Sequence, residues 1–545
     1  MVDVKIPGHI AHELDAKAET HPDFTVVTFE NGIYPQESLT YSDIVVQGRK
    51  VAHALVRSGI GRGDTFALVM RNHPEFIYAL YAATLLGAVM IPIDPRVKGQ
   101  RLKFMLKDSR AKGVLFTSEF TEKVLSVLKE LPEVSVIGVS CKEGMSYDTS
   151  ASLPLLNDIL MGPEMPPPNQ RCDDIHVPIE IIYTSGTTGD PKGVVVKGSR
   201  LAPYSQLALF VWQYTPEDKL YTGLSLTHGN AQAVTLMPSL MLSIPSVIST
   251  TFTKSRIWEI CRTFNCTTFS LLGGMMMGIY GETPKPDDAD NPVRLVLSAG
   301  TPHAIWENFE KRFNVMIHEW YGAVEGGFAH KPPGVGPLGS FGKPLEGLME
   351  MKVVDEHGID CLPGKTGEII FRTLGQKTEV EYLGKEKDSR EKTKGGWLRT
   401  GDKGHTDKAG WFFFDYRDGG GLRRSGDFIQ PQYVEACIAA HPDVSEVCVY
   451  GIPSEGGAPG ESDLVAAVVP MNGQSIDAVS LFAHCRKALE GNTVPSNFQV
   501  VDEIPKSASE KNLDRLLKDR FSKDAGNVFK NSDNIAERYN TNTKS

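Results

Sequence analysis

Hydrophobic and polar positions follow two different periods along this chain. In LTYSDIVVQGRKVAHALVRSG (39–59) the pattern is helical and stops at Gly59. TFALVM (65–70) is an unbroken apolar run and predicts a strand. HPEFIYALYAATLLGA (73–88) then predicts a helix, and VMIPID (89–94) and GVLFTS (113–118) two more strands. Strands alternating with helices imply parallel sheets covered by helices. The proline-rich MGPEMPPPNQ (161–170) predicts a linker or surface loop. The alternation resumes through RIWEICRTFN, TTFSLL, RLVLSAG and HAIWENFEKRF, between residues 256 and 313. From about Lys352 to Phe371 the pattern changes to short strands and turns, as in a small β-barrel. After the run Gly419-Gly420-Gly421 the chain restarts as a compact α+β unit.

The expected architecture is therefore α/β. A large N-terminal domain of layered α/β sheets with a small β-barrel covers residues 1–418. A small mobile α+β domain covers 419–545, with a polar tail from about residue 522. No internal repeat is visible.

Composition narrows the function. The chain has 545 residues, 41% hydrophobic and 23% charged, as in a soluble multidomain protein. A net charge of −10 argues against a nucleic-acid binder that relies on a global positive field. The N-terminus shows no basic segment followed by an apolar one, so no secretory signal is expected. The most apolar stretch, ALYAATLLGAVMIPI, is too short for a membrane span and is broken by Gly87 and Pro92. Eight scattered cysteines without a CxxC pair fit free thiols in a cytoplasmic protein better than zinc or disulfides.

The chemistry first surfaces in YTSGTTGDPKGVVVKG (183–198). Glycines allow a backbone to approach a ligand closely. Hydroxyls of Thr184, Ser185, Thr187 and Thr188 suit phosphate oxygens or a metal, and Lys192 adds a point charge. The flanks IEIIY and VVV are β-branched, so the loop should join two strands. A P-loop would instead open a helix with Gly-Lys-Ser/Thr. A plain hairpin loop would not require four hydroxyls.

This motif, followed in order by LTHGN, SAGTP, YGAVEGG, GWLRTGD, Arg417 with its glycine-rich hinge, and PKSASEK, resembles the adenylate-forming superfamily of acyl- and aryl-CoA synthetases, adenylation domains and luciferases. The resemblance covers nearly the whole chain. Its general look is closest to the carnitine/crotonobetaine-type and medium-chain branches. It implies an AMP-forming ligase that converts a carboxylic acid and ATP into an acyl adenylate and pyrophosphate, after which coenzyme A displaces AMP. Ser185, Gly186, Thr187, Thr188, Gly189 and Lys192 would cradle phosphates, and Thr184 and Glu325 would hold Mg²⁺. Tyr321 and Gly322 would lie on the adenine, with Gly300 and Thr301 along its edge, and Asp402 would accept the ribose hydroxyls. Arg417 would contact ribose and phosphate. Lys511 would bridge the attacking carboxylate and the α-phosphate. His228 would gate the acyl and pantetheine channels, and Arg423 or Arg424 would meet a coenzyme A phosphate. The implied partners are a small carboxylic acid and coenzyme A, with no nucleic acid and no membrane span; a homodimer is left open.

The chain also departs from the family pattern. Val324 stands where a Thr is common, Gly198 where a His often follows PKG, Gly419 at the hinge, and Glu510 beside Lys511. Two other functions compete with the acid:CoA ligase: a stand-alone adenylation enzyme serving a carrier protein, and a non-catalytic nucleotide-binding relative. The acid pocket is expected from HGNAQ (228–232), LLGGMMMGIY (271–280) and SAGTP (298–302), with core packing an equal alternative for GGMMMG. A cationic head group would want an aromatic cage, for which Trp212, Tyr214 and Trp320 are available.

Overall fold

A capping box starts the first long helix: the Thr40 side chain accepts from the Asp43 amide while Asp43 reaches back to the Thr40 amide. The helix runs Tyr41–Arg57, and Gly59 follows with φ of 72°, so the predicted stop is a left-handed turn. The next helix, Pro74–Leu86, is buried along its whole length. Its apolar sequence has no polar face because helix and sheet cover it on all sides. Each fully buried side chain such as Phe76 or Leu80 contributes about 1.5–3 kcal/mol of apolar burial.

The computed structural model describes residues 8–32, 35–143, 153–184, 190–417, 422–454, 461–471, 475–505, 512, 514–521 and 525–531. The chain divides into two compact units, the larger made of Met1–Thr184 and Pro191–Asp415 and the smaller of Ser185–Asp190 and Tyr416–Ser545.

The larger unit holds two sheets. One has six strands in the order 135–140, 113–117, 65–69, 89–93, 178–184, 192–197. Its pairings are parallel except for the last, where Pro178–Thr184 and Lys192–Lys197 run antiparallel. The predicted strand–loop–strand around the hydroxyl-rich motif is thus present, with Thr184 paired to Lys192. The second sheet is a ladder of thirteen strands. Its middle, formed by 25–30, 246–249, 220–222, 268–272, 295–299 and 316–323, is parallel. From Gly326 onward it becomes antiparallel. The strands expected as a small barrel are these antiparallel ones, joined edge-on to the parallel part. No ladder closes them into a ring among the described residues. Buried on both faces, the parallel strands read as continuous apolar runs.

The smaller unit has four strands, 444–453, 462–470, 497–500 and 528–530, and a hairpin of 422–424 with 427–429. Helices Pro431–Ala439 and Ala478–Ala488 join this sheet in a core around Val434, Leu464, Phe482 and Phe498. Among the described residues no helix is long and apolar enough to cross a membrane.

Candidate active site

Parallel strands present their carboxyl ends to ligands, and in the larger unit the motif residues cluster there. Thr184 ends the strand 178–184 and Asp94 follows 89–93. The His228 turn follows 220–222, Gly273 follows 268–272, and Gly300 follows 295–299.

Around the phosphate motif the structure builds a chain of contacts. The Thr184 hydroxyl donates to the Lys192 carbonyl at 3.4 Å. Lys192 Nζ lies 2.6 Å from Asp388 and 5.3 Å from the centre of the Tyr382 ring. The Tyr382 hydroxyl donates to Glu325 Oε1 at 3.0 Å, holding a buried carboxylate through the same tyrosine that the lysine approaches. Tyr382 reaches this position because residues 381–383 pair along the free edge of 192–197, with Val195 N to Glu381 O and Leu383 N to Gly193 O both 2.9 Å. Ser185, Gly186, Thr187, Thr188 and Gly189 lie outside the described residues.

A second group forms where the parallel part of the long sheet turns antiparallel. Tyr321 stacks on Phe341 and Phe371, with ring centres 4.6 and 5.7 Å apart, and its hydroxyl donates to Asp402 Oδ2. Asp402 is buried, and its amide donates to the Thr400 hydroxyl at 3.0 Å. Gly300 takes φ of +82°, a conformation open to glycine. Its amide and that of Thr301 donate to the buried Glu319 carboxylate, at 2.6 and 3.1 Å, and the Thr301 hydroxyl lies 2.5 Å from it. Gly273 touches this loop: a Cβ there would overlap the Gly300 carbonyl. Two of the three segments expected at the acid pocket therefore meet backbone to backbone. Gly322 continues the strand beyond Tyr321 at an exposed position.

The third group is the His228 turn. His228 is half-exposed, and its Nε2 lies 3.2 Å from Asp94 Oδ2. Burial alone would raise the Asp94 carboxyl; hydrogen bonds from His228 and Arg96 instead hold it well below the usual carboxylate range. Behind the turn, Asn72 Nδ2 donates to the carbonyls of Leu224 and Ser249, at 2.8 and 2.9 Å, and its Oδ1 accepts from the Leu226 amide at 2.8 Å. The turn also approaches the YGAVE motif, since a Cβ at Gly229 would lie 3.5 Å from a Val324 methyl. The turn passes into a π-helical stretch, Gln232–Leu236.

The aromatic residues Trp212, Tyr214 and Trp320 converge, with Trp212 centred 5.8 Å from Tyr214 and 6.3 Å from Trp320. Trp212 and Tyr214 are buried in a core cluster with Phe328, so they form packing and not an open cage. Met276 is likewise fully buried, while Met275 packs at the edge of two clusters.

In the smaller unit both hairpin arginines are engaged. Arg424 donates to the carbonyls of Asn492 and Val494, at 3.2 and 2.7 Å. Arg423 lies 3.7 Å from Glu461, which also accepts from the Ser425 and Gly426 amides. Arg417 ends the strand 412–417, and its side chain is outside what is described. Lys511, Glu510 and the Gly419–Gly421 hinge also lie outside the described residues.

Asn72, Asp94, Glu319 and Tyr382 carry no signal of their own in the sequence. The alternation of apolar strands with polar strand ends is the only hint for Asp94 and Asn72.

Comparison with known proteins agrees with this geometry. The sequence pattern of AMP-binding enzymes matches residues 14–376, and that of the AMP-binding enzyme C-terminal domain matches 433–511. The chain belongs to the AMP-binding enzyme family. It is 25% identical to the crotonobetaine/carnitine–CoA ligase of Salmonella arizonae over 532 residues, covering 95% of this chain and 100% of that one. The ligase of the same name from Citrobacter koseri is 25% identical over 519 residues, covering 92% and 98%. Among solved structures, a double mutant of o-succinylbenzoate CoA synthetase from Bacillus subtilis, bound with a product analogue, superimposes with a TM-score of 0.79 at 23% identity, covering 93% and 98%. An amide bond synthetase from Marinactinospora thermotolerans gives 0.77 at 22% identity, covering 94% and 99%.

Proposed function

We infer that the protein is an ATP-dependent acid:CoA ligase. In the first half-reaction a carboxylate oxygen attacks the α-phosphorus of ATP, and the bond to pyrophosphate breaks. In the second the thiol sulfur of coenzyme A attacks the acyl carbon, the bond to AMP breaks, and the thiol proton leaves to solvent. The observation that carries this reading is that Thr184 and Lys192 of the phosphate motif, the Tyr321–Asp402 pair and the Tyr382-held Glu325 all lie in the larger unit.

Each residue has a task in that scheme. Asp402, an acceptor only, takes the ribose diol while Tyr321 and Gly322 lie on the adenine. The Glu319-held Gly300 and Thr301 offer a rigid backbone edge to the base. Lys192 exchanges Asp388 for phosphate, an inexpensive step because the ion pair is partly exposed. A hydroxyl from Thr184 and a carboxylate from Glu325 are hard oxygen donors suited to Mg²⁺, which when bound offsets phosphate charge. Ser185 to Gly189 complete the phosphate cradle. Arg417 reaches ribose and phosphate, and Lys511 joins the carboxylate to the α-phosphate. The assignment of residues 1–418 and 419–545 to a fixed and a mobile part, with Gly419–Gly421 as hinge, belongs to the same proposal. With Arg424 spent on backbone carbonyls, Arg423 is the better placed of the pair to exchange its partner for a coenzyme A phosphate.

The test is incubation with ATP, Mg²⁺, coenzyme A and a panel of acids, including crotonobetaine, carnitine, medium-chain and aryl acids. An acyl-CoA product with AMP supports the ligase. Acid-dependent pyrophosphate release without a thioester indicates a carrier-dependent adenylating enzyme. No release with any acid indicates a non-catalytic relative. Lys511→Ala then separates the steps: pyrophosphate exchange should fall by several kcal/mol of barrier, roughly 10²–10³-fold, with thioester formation from presynthesised adenylate retained.

A further inference from the structure

One buried carboxyl has no place in the chemistry above. Glu180 sits on the strand that ends in Thr184, four residues earlier, and is 0% exposed. Gln232 Nε2 donates to Glu180 Oε1 at 2.8 Å and to the Leu226 carbonyl at 2.9 Å. Leu226 lies two residues before His228, and Gln232, also fully buried, opens the π-helical stretch after it. Gln232 thus ties the strand of the phosphate motif to both sides of the His228 turn, and Glu180 is the anchor on that strand. We propose that Glu180 is a positioning residue that acts through Gln232 to set the His228 turn and, with it, the enzyme's affinity for the acid. This rests on the His228 turn bordering the acid, as proposed above.

An apolar residue on a strand buried on both faces would be the ordinary choice at this position. A carboxyl there costs free energy unless it is neutral or partnered. Burial, offset only by the Gln232 hydrogen bond, pushes the Glu180 carboxyl up to about 8. The elements packed against its strand leave it uncompensated. Strand 89–93 and the 229–236 segment have no titratable side chain. Strand 192–197 carries Lys192, paired with Asp388, and Lys197, beside Glu381. Helix 74–86 carries Glu75, paired with Lys142, Tyr78, and Tyr81, which donates to Asp15. Because the folded value lies above the ordinary 4.5, the stability this group contributes is complete below pH 4.5 and is lost as pH rises to about 8. In the folded protein the carboxyl ionises near pH 8; the Gln232 hydrogen bond favours the anion but does not offset its burial, so opening of this segment to water becomes less costly.

Hydrogen exchange of the 222–236 segment between pH 6.5 and 9.5, corrected for intrinsic rates, reads the tie directly. Wild-type protection should fall about tenfold above pH 8. Glu180→Gln, neutral and isosteric, should keep its protection across the range. Glu180→Leu should exchange at least tenfold faster at pH 7, with the 65–69 strand unchanged. With crotonobetaine as the assayed acid, Glu180→Leu should raise the acid KM about tenfold and leave the ATP KM within twofold. Identical pH profiles for wild type and Glu180→Gln, or unchanged protection in Glu180→Leu, would overturn the proposal. Altered exchange with no adenylation of any acid would leave the tie standing and defeat the ligase reading instead.

Discussion

The proposed nucleotide side and the proposed acid side of the site are built in different ways. On the nucleotide side the groups proposed to face the ligand also hold one another: Tyr321 bonds Asp402, and the Gly300 and Thr301 amides meet Glu319 two residues before Tyr321. Most of these lie in recognisable motifs. On the acid side His228 is half-exposed at the tip of a turn, and its support comes from Asn72, Asp94 and Gln232 with Glu180, on other strand ends and helices. A self-supporting cluster ties binding to its own residues. A turn held from behind lets binding be altered by residues that never meet the substrate.

The sharpest break of this contrast is Asp402→Ala. It removes the proposed ribose acceptor and the partner of Tyr321 together, so kcat/KM for ATP should fall about 10²–10³-fold while the acid KM changes little. Equal losses for both substrates in steady-state kinetics would erase the distinction between the two sides.

Gly273→Ala should come next. Its Cβ would overlap the Gly300 carbonyl, so either the 273–280 helix or the Gly300 loop must shift. We expect about 3 kcal/mol of destabilisation in denaturant unfolding, together with a raised ATP KM. Native stability would show that the two segments yield independently.

Asn72→Ala should cost about 2–3 kcal/mol, since it leaves the buried Leu224 and Ser249 carbonyls and the Leu226 amide without this partner. Unlike Asp402→Ala, it should raise the acid KM more than the ATP KM. The reverse order of effects would place the Leu224–His228 turn on the nucleotide side.

The smallest effect belongs to Asp388→Ala. The pair with Lys192 is partly exposed, so thermal unfolding should register under about 0.5 kcal/mol. Freed from its carboxylate, Lys192 should bind phosphate as well or slightly better, seen as an equal or lower ATP KM. A raised ATP KM would mean that Asp388 positions Lys192 and does not merely neutralise it.

Much of the fold could be read from periodicity. The helices at 41–57 and 74–86, the strands at 65–69, 89–93 and 113–117, and the two strands flanking the hydroxyl-rich loop all stand where the apolar pattern places them. Burial on both faces makes a parallel strand an unbroken apolar run, and such runs are conspicuous. The edge-on joining of the antiparallel strands to the parallel part of the long sheet was not legible, because it depends on which distant strand edges meet. The aromatic trio was visible as three side chains, but their burial against Phe328 follows from packing between strands far apart in sequence.

Local order in the chain determined the class of chemistry. Glycines, hydroxyls and a lysine within eleven residues, a tyrosine four residues before a glutamate, and an aspartate after Thr-Gly are short-range patterns whose meaning does not depend on distant contacts. The supports of the site were decided only by tertiary structure. Gln232 meets Glu180 across 52 residues, His228 meets Asp94 across 134, and Asn72 meets Leu224 across 152. A buried polar side chain needs a partner, but composition and spacing do not say which one; the approach of strand ends of the six-stranded sheet to the segment that follows strand 220–222 of the thirteen-stranded sheet brings these groups together, and burial then makes each hydrogen bond costly to lose.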